Sequence, residues 1–185
     1  MRSAYNETWL YNLEVIKETK RWLKAKFIEK VQFNVIVEAH ATSFYHPNFI
    51  IRILIFVATL LGLSGVTGLF ALMILDTNQV VISIGCLLYG IGSFVFVDRV
   101  IIKNSKHYKS GLTEALIYHA CGFTIGGFAG LIDFSIVPVL LFSIVVLSFA
   151  AYRYLDLLTT AVAFLTLAYL IFYQLYAFGG FFQQI

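Results

Sequence analysis

Residues 112–132 read LTEALIYHACGFTIGGFAGLI, and the rest of the chain is organised around them. As a helix this stretch matches a ~30 Å hydrocarbon core, which takes roughly 20 residues to cross. Gly122, Gly126 and Gly130 recur every four residues, so they form one row on a helix. Ala115, Tyr118 and His119 fall on the same side; Ile117, Thr124, Phe128 and Leu131 fall on the opposite one. A row of glycines lets a second helix approach closely where hydrophobicity gives no drive. The expectation is a packing face inside the bundle, with a homodimer face or a solute path as the sharper alternative. Gly62, Gly65 and Gly68 give the first apolar segment a similar narrow half.

Few polar residues lie in these segments. An ionisable group inside a membrane is costly and is by default a functional candidate. Glu114, His119 and Asp98 are the candidates here. Glu114 also suits a helix start, where the dipole favours a negative charge and headgroups are near. A neutral His119 can simply bond a neighbouring carbonyl. Their spacing of five is not that of a helical pair. Asp98 and Arg99 are adjacent and do not face each other.

Outward from this stretch the composition is uniform in its message. The chain is 60% hydrophobic and 12% charged, against about 25% charged in soluble domains. Lipid must solvate such a surface. The expected fold is an all-α integral membrane protein with about five transmembrane helices, near 49–75, 80–102, 112–132, 134–152 and 155–178. A cytoplasmic amphipathic segment, residues 1–48, precedes the bundle of residues 49–185. No cleavable signal peptide is read in it. His46-Pro47 marks the boundary, because a residue before proline avoids the helical region. Ser110 is placed to cap the central helix, Arg52 to snorkel towards headgroups, and Pro138 to sit harmlessly in a first turn.

Within the first 48 residues Trp9, Leu13, Ile16, Leu23 and Phe27 keep helical spacing, and a second helix is expected from Glu29 to about Thr42. A bend near Lys26–Ile28 would make a hairpin too poor in apolar residues to fold alone. It must lean on the membrane, on the bundle's loops or on a partner. Its basic amphipathic character suits an anionic lipid surface. Nucleic acid is disfavoured, because Glu7, Glu14, Glu18, Glu29 and Glu38 interrupt any basic face. The partners expected are the lipid bilayer and a protein partner or a second copy of the chain.

Cys86 and Cys121 both lie in apolar runs and read as small core residues. No C-x-x-C, H-E-x-x-H, G-x-S-x-G or Gly-rich phosphate loop occurs, so no catalytic residue, metal or cofactor is expected. The leading expectation is a non-enzymatic interaction or assembly protein with a cytoplasmic docking segment. The alternative is a small-solute or ion transporter or channel using the Glu114/His119 helix, although no interrupted helices recur in two halves.

Arg21-Trp22-Leu23-Lys24-Ala25-Lys26-Phe27-Ile28, Phe44-Tyr45-His46-Pro47-Asn48 and Ser110-Gly111-Leu112-Thr113-Glu114-Ala115 together resemble a bacterial family of predicted membrane proteins of unknown function, the domain of unknown function twenty-one fifty-seven and its relatives. The resemblance implies a helical inner-membrane protein with no established activity and no catalytic residues. Members of that family usually have more membrane helices. This chain stops at Gly179-Gly180-Phe181-Phe182-Gln183-Gln184-Ile185 without a charged tail, so a shortened chain is expected.

The thirteen Lys and Arg residues divide sharply. Arg2, Lys17, Lys20, Arg21, Lys24, Lys26, Lys30 and Arg52 lie at or before the first span; Arg99, Lys103, Lys106 and Lys109 follow the second; Arg153 follows the fourth. The links between hold only Asp76 and Asp133. The excess of cations marks the cytoplasmic side, so the N-terminus is expected there and residue 185 opposite. A reporter fused at Asp76 should therefore be protected in sealed cells and react only after the membrane is breached; a cytoplasmic reporter would reverse the orientation.

Overall fold

A chain inside lipid must satisfy its backbone without water, and a helix does so within one segment. The computed structural model describes residues 3–74 and 76–182. Among them the regular structure is helical, apart from one bridge between Tyr45 and His107. Helix α1 (Glu7–Lys24) is capped by Asn6, whose side chain accepts from the Trp9 N–H, and α2 (Lys30–Ala39) returns against it. Then come α3 (Phe49–Ile74), α4 (Gln79–Phe96), α5 (Leu112–Leu131), α6 (Ile136–Tyr154) and α7 (Leu157–Phe182). Asn48 and Asn78 accept from the N–H of Ile51 and Val81 and so start α3 and α4. Met1, Arg2, Leu75 and residues 183–185, including the end on which the shortened-chain expectation rests, lie outside the described residues.

Among the described residues four helices are long and apolar enough to cross a membrane: Phe49–Met73, Gln79–Asn104, Ile136–Tyr154 and Leu157–Phe178. The chain is thus a multi-pass membrane protein by length and composition. Helix α5 is not among the four, and its place in the bundle explains why. It packs against α3, α4 and α6, while α7 packs on α6. Thr113 to Ile117, Ala120, Cys121 and Thr124 are all buried. Protein, not lipid, surrounds most of this helix, so it tolerates polar residues that an outer helix would not.

After Phe96 helix α4 widens into a π-helical stretch, Val97–Asn104. Buried Val97, Ile101 and Ile102 are spaced by four and five, which matches the slower turn of a π-helix. The widening keeps their face inward as the helix leaves the bundle.

The glycine row expected to pack is not where α5 meets its neighbours. Gly122 and Gly126 are exposed, and a Cβ on either would meet no atom within 4 Å; the same holds for Gly62, Gly65 and Gly68 of α3. The close approach runs on the other side of α5, against α4. A Cβ on Gly127 would stand 2.5 Å from the Leu87 N and 2.7 Å from the Ser83 O. One on Gly90 would stand 2.5 Å from the Thr124 N, and Gly130 is filled by the Ser83 side chain. Of the expected row only Gly130 takes part. Spacing of four identified a row but not which row faces protein, because two glycine rows share this helix. Gly127→Ala should therefore lower the thermal midpoint in detergent, by the equivalent of about 1–3 kcal/mol of overpacking. Gly122→Ala should be neutral or stabilising, by up to about 1 kcal/mol of helix propensity; equal losses at both positions would contradict this packing.

Candidate functional site at the basic end of the bundle

The starts of α3, α5 and α7 and the ends of α4 and α6 meet at one end, and the chain's basic loops lie there. Three acids converge on this basic end, each at a different helix joint.

Glu114 occupies the third position of α5 and is only 5% exposed. Its Oε2 accepts from the Gly111 N–H at 2.7 Å, and its Oε1 lies 2.6 Å from Arg52 Nη2 of α3. That second contact has ion-pair distance but lacks the alignment of a hydrogen bond. Gly111 has φ +90° and abuts the Arg52 carbonyl of α3, where any side chain would collide. Two sequence expectations change here. Glu114 is buried in an ion pair rather than resting among headgroups, and Arg52 turns to Glu114 rather than only snorkelling. Ser110 does not cap α5 either. Its hydroxyl lies 2.9 Å from His107 Nδ1 and 3.3 Å from Thr113 Oγ1, and Gly111 is the cap residue.

Asp98 lies on the π-helical stretch and meets Arg153 at the end of α6, 2.7 Å from Nη2 and 3.3 Å from Nε. Asp156 forms the third joint. In the tight Leu155-Asp156 link its Oδ2 accepts from the Thr159 N–H at 2.8 Å and caps α7, while the Tyr118 hydroxyl of α5 donates to it at 3.2 Å. Asp156 is a site residue that was not singled out from the sequence. The available signal was an acid immediately before an apolar run, the signature of an N-cap.

His119 stands apart from this group. Its Nε2 is 3.5 Å from Thr67 Oγ1 of α3, and its ring lies against Tyr89 of α4 and Phe123. Glu114 and His119 do not meet. Among the described residues no three His, Cys, Asp or Glu side chains are placed to hold a metal ion, and Cys86 and Cys121 are unbridged.

An aromatic cap closes the basic end. The Ala4 N–H donates to the Arg153 carbonyl at 2.9 Å and carries Tyr5 into the core. Tyr5 stands edge-on to Phe44 and Tyr108, and Trp9 edge-on to Phe44. Lys106 lies over the Trp9 ring at 5.2 Å. The Tyr45 N–H donates to the Lys106 carbonyl and the Tyr108 N–H to the Tyr45 carbonyl, which joins the linker before α3 to the loop before α5. Burial raises the Tyr5 hydroxyl far above the ordinary tyrosine range, and nearby Glu114, Tyr108, Asp156 and Asp98 raise it further. Burial likewise holds His107 below its usual value of 6.5. Both shifts favour the uncharged form of each group at neutral pH.

Chemically this end holds two ion pairs, Arg52–Glu114 and Arg153–Asp98, and one carboxylate, Asp156, held by hydrogen bonds from Tyr118 and Thr159. Removing either partner of the Arg52–Glu114 pair leaves a charge behind, but the two charges differ in burial. The Arg52 side chain is 37% exposed and can turn to water, whereas Glu114 cannot. Arg52→Gln should thus cost about 1–3 kcal/mol in detergent melts. Glu114→Gln, which keeps an acceptor for Gly111, should cost less; the reverse order would refute the burial assigned to this pair.

A scan against protein-family models gives no match for this chain, and neither a search of curated proteins nor one of solved structures finds a match.

Proposed function

We propose that this chain is a non-enzymatic interaction protein of a bacterial inner membrane, with the α1–α2 hairpin as its docking element. It crosses the membrane five times, with α5 as the central span and the N-terminus cytoplasmic. The family resemblance in three motifs and the one-sided distribution of cations support the location and orientation. For the fifth span, α5 runs between α3, α4 and α6 and turns its polar residues to them.

The observation that carries the docking reading is how the hairpin is mounted. Both of its ends are fixed: Tyr5 and Trp9 before and in α1, and Phe44 and Tyr45 after α2, join the aromatic cap. Asn12 also donates to the Ala41 carbonyl across the hairpin at 2.9 Å. The far end nevertheless leaves Phe27, Val31 and Val35 uncovered. An apolar patch on a fixed support marks an interaction surface. Transport by a Glu114–His119 pair fits less well, since Arg52 and Gly111 hold Glu114 while His119 faces Thr67 and Tyr89.

Deleting the N-terminal segment would remove Tyr5 from the core, so point changes at the hairpin tip test the reading more cleanly. The full chain and its Phe27→Ser/Val31→Ser/Val35→Ser variant would be isolated from native membranes in mild detergent, with every co-isolated chain and lipid class quantified. The wild type should carry a stoichiometric companion that falls severalfold in the variant, with the thermal midpoint unchanged. Identical company for both would remove the docking function.

A further inference from the structure

The hairpin tip carries a chemical signature of its own. Phe27 is 81% exposed, and Val31 and Val35, one turn apart, are open beside it. With Ile28, Gln32 and Ile36 these valines line a shallow groove. Trp22, half exposed, stands in the last turns of α1.

Cations surround this patch. Residues 17–31 contain Lys17, Lys20, Arg21, Lys24, Lys26 and Lys30 against Glu18 and Glu29. Six minus two is +4, more than the +3 of the whole chain. Glu18 is paired with Arg21, and Glu29 is the cap residue of α2.

The turn itself adds to the pattern. The Phe27 N–H donates to the Trp22 carbonyl at 2.9 Å and the Lys26 N–H to the Leu23 carbonyl at 3.1 Å, the closure in which glycine usually takes the left-handed position. Here that position is Lys26, at φ 62°. Glycine would sit there with less strain; lysine adds a cation to the tip instead. The Phe27 ring that follows this closure stays largely open.

Exposed aromatic and β-branched residues ringed by lysines are the chemistry of a helix lying in a bilayer interface. Acidic phospholipids attract such clusters at short range. Helix α1 has 18 residues and so spans about 27 Å. Because Ala4 and Tyr5 tie its start to the bundle, the tip stays within that reach of the leaflet from which the bundle emerges. We propose that the hairpin tip binds the anionic lipid surface of that leaflet. Phe27, Val31 and Val35 lie at the acyl–headgroup boundary, and Lys24, Lys26 and Lys30 lie on acidic phospholipid headgroups. This rests on the reading of the hairpin as a docking element and names what it docks on.

The test uses the full chain with Trp9→Phe, which leaves Trp22 as the sole tryptophan. It is placed in nanodiscs of zwitterionic lipid, or of the same lipid mixed with acidic phospholipid, with bromine on the acyl chains. Quenching of Trp22 should be severalfold stronger with acidic lipid, and it should fade with added salt and in the Lys24→Gln/Lys26→Gln/Lys30→Gln variant. Equal quenching in both discs overturns the proposal. In parallel, Val31→benzoylphenylalanine is photolysed in native membranes. An adduct to phospholipid supports the proposal. An adduct to a protein chain overturns it while the docking reading stands. No adduct together with no quenching overturns both.

Discussion

A single buried carboxylate holds the first span to the rest of the bundle. Glu114 sits where the start of α5 favours negative charge, and it takes the Gly111 N–H on one oxygen and Arg52 on the other. Gly111 can present that N–H only because its backbone is left-handed and bare of side chain against the Arg52 carbonyl. Other ties of α3 are weaker contacts, among them Phe56 with Tyr118, Phe70 with Tyr89, Thr67 with His119 and Leu63 against the buried cluster. A charge that is costly among apolar helices thereby becomes the constraint that sets the position of one of them.

Two further acids tie helices at other joints, Asp98 pairing with Arg153 between α4 and α6 and Asp156 taking the Tyr118 hydroxyl between α7 and α5. The basic end is therefore held by charge and hydrogen bonds. At the opposite end Gln79 reaches the Gly130 carbonyl at 3.2 Å and Asp133 at 3.5 Å. Between the two ends α4 and α5 rely on backbone approach at Gly90, Gly127 and Gly130, where dispersion replaces the hydrophobic drive that lipid removes.

The N-terminal segment is a structural part of the bundle rather than an appendage. Tyr5 belongs to the same buried cluster as Val97, Ile117 and Tyr154. Rings from three separate segments, Tyr5 and Trp9, Phe44, and Tyr108, pack edge-on or stacked over the joints. A hairpin with too few apolar residues for its own core thus gains a fixed base, and this leaves its far tip free to meet another surface.

Helical character, the long apolar segments, the hairpin with its turn near Lys26 and the gathering of cations at one end were legible in the sequence. Each follows from local period or composition: 3.6-residue spacing, run length, proline before α3 and charge counted along the chain. The tertiary structure alone decided that α5 is the buried centre, that Gly127 rather than Gly122 and Gly126 meets α4, that Arg52 is the partner of Glu114 and that Asp156 ties α7 to Tyr118. Those outcomes depend on how each helix is rotated about its axis. Apart from the few polar positions, most faces of these helices are apolar enough to be outer ones, so the pattern of residues alone does not choose the rotation; the fit of one backbone against another does.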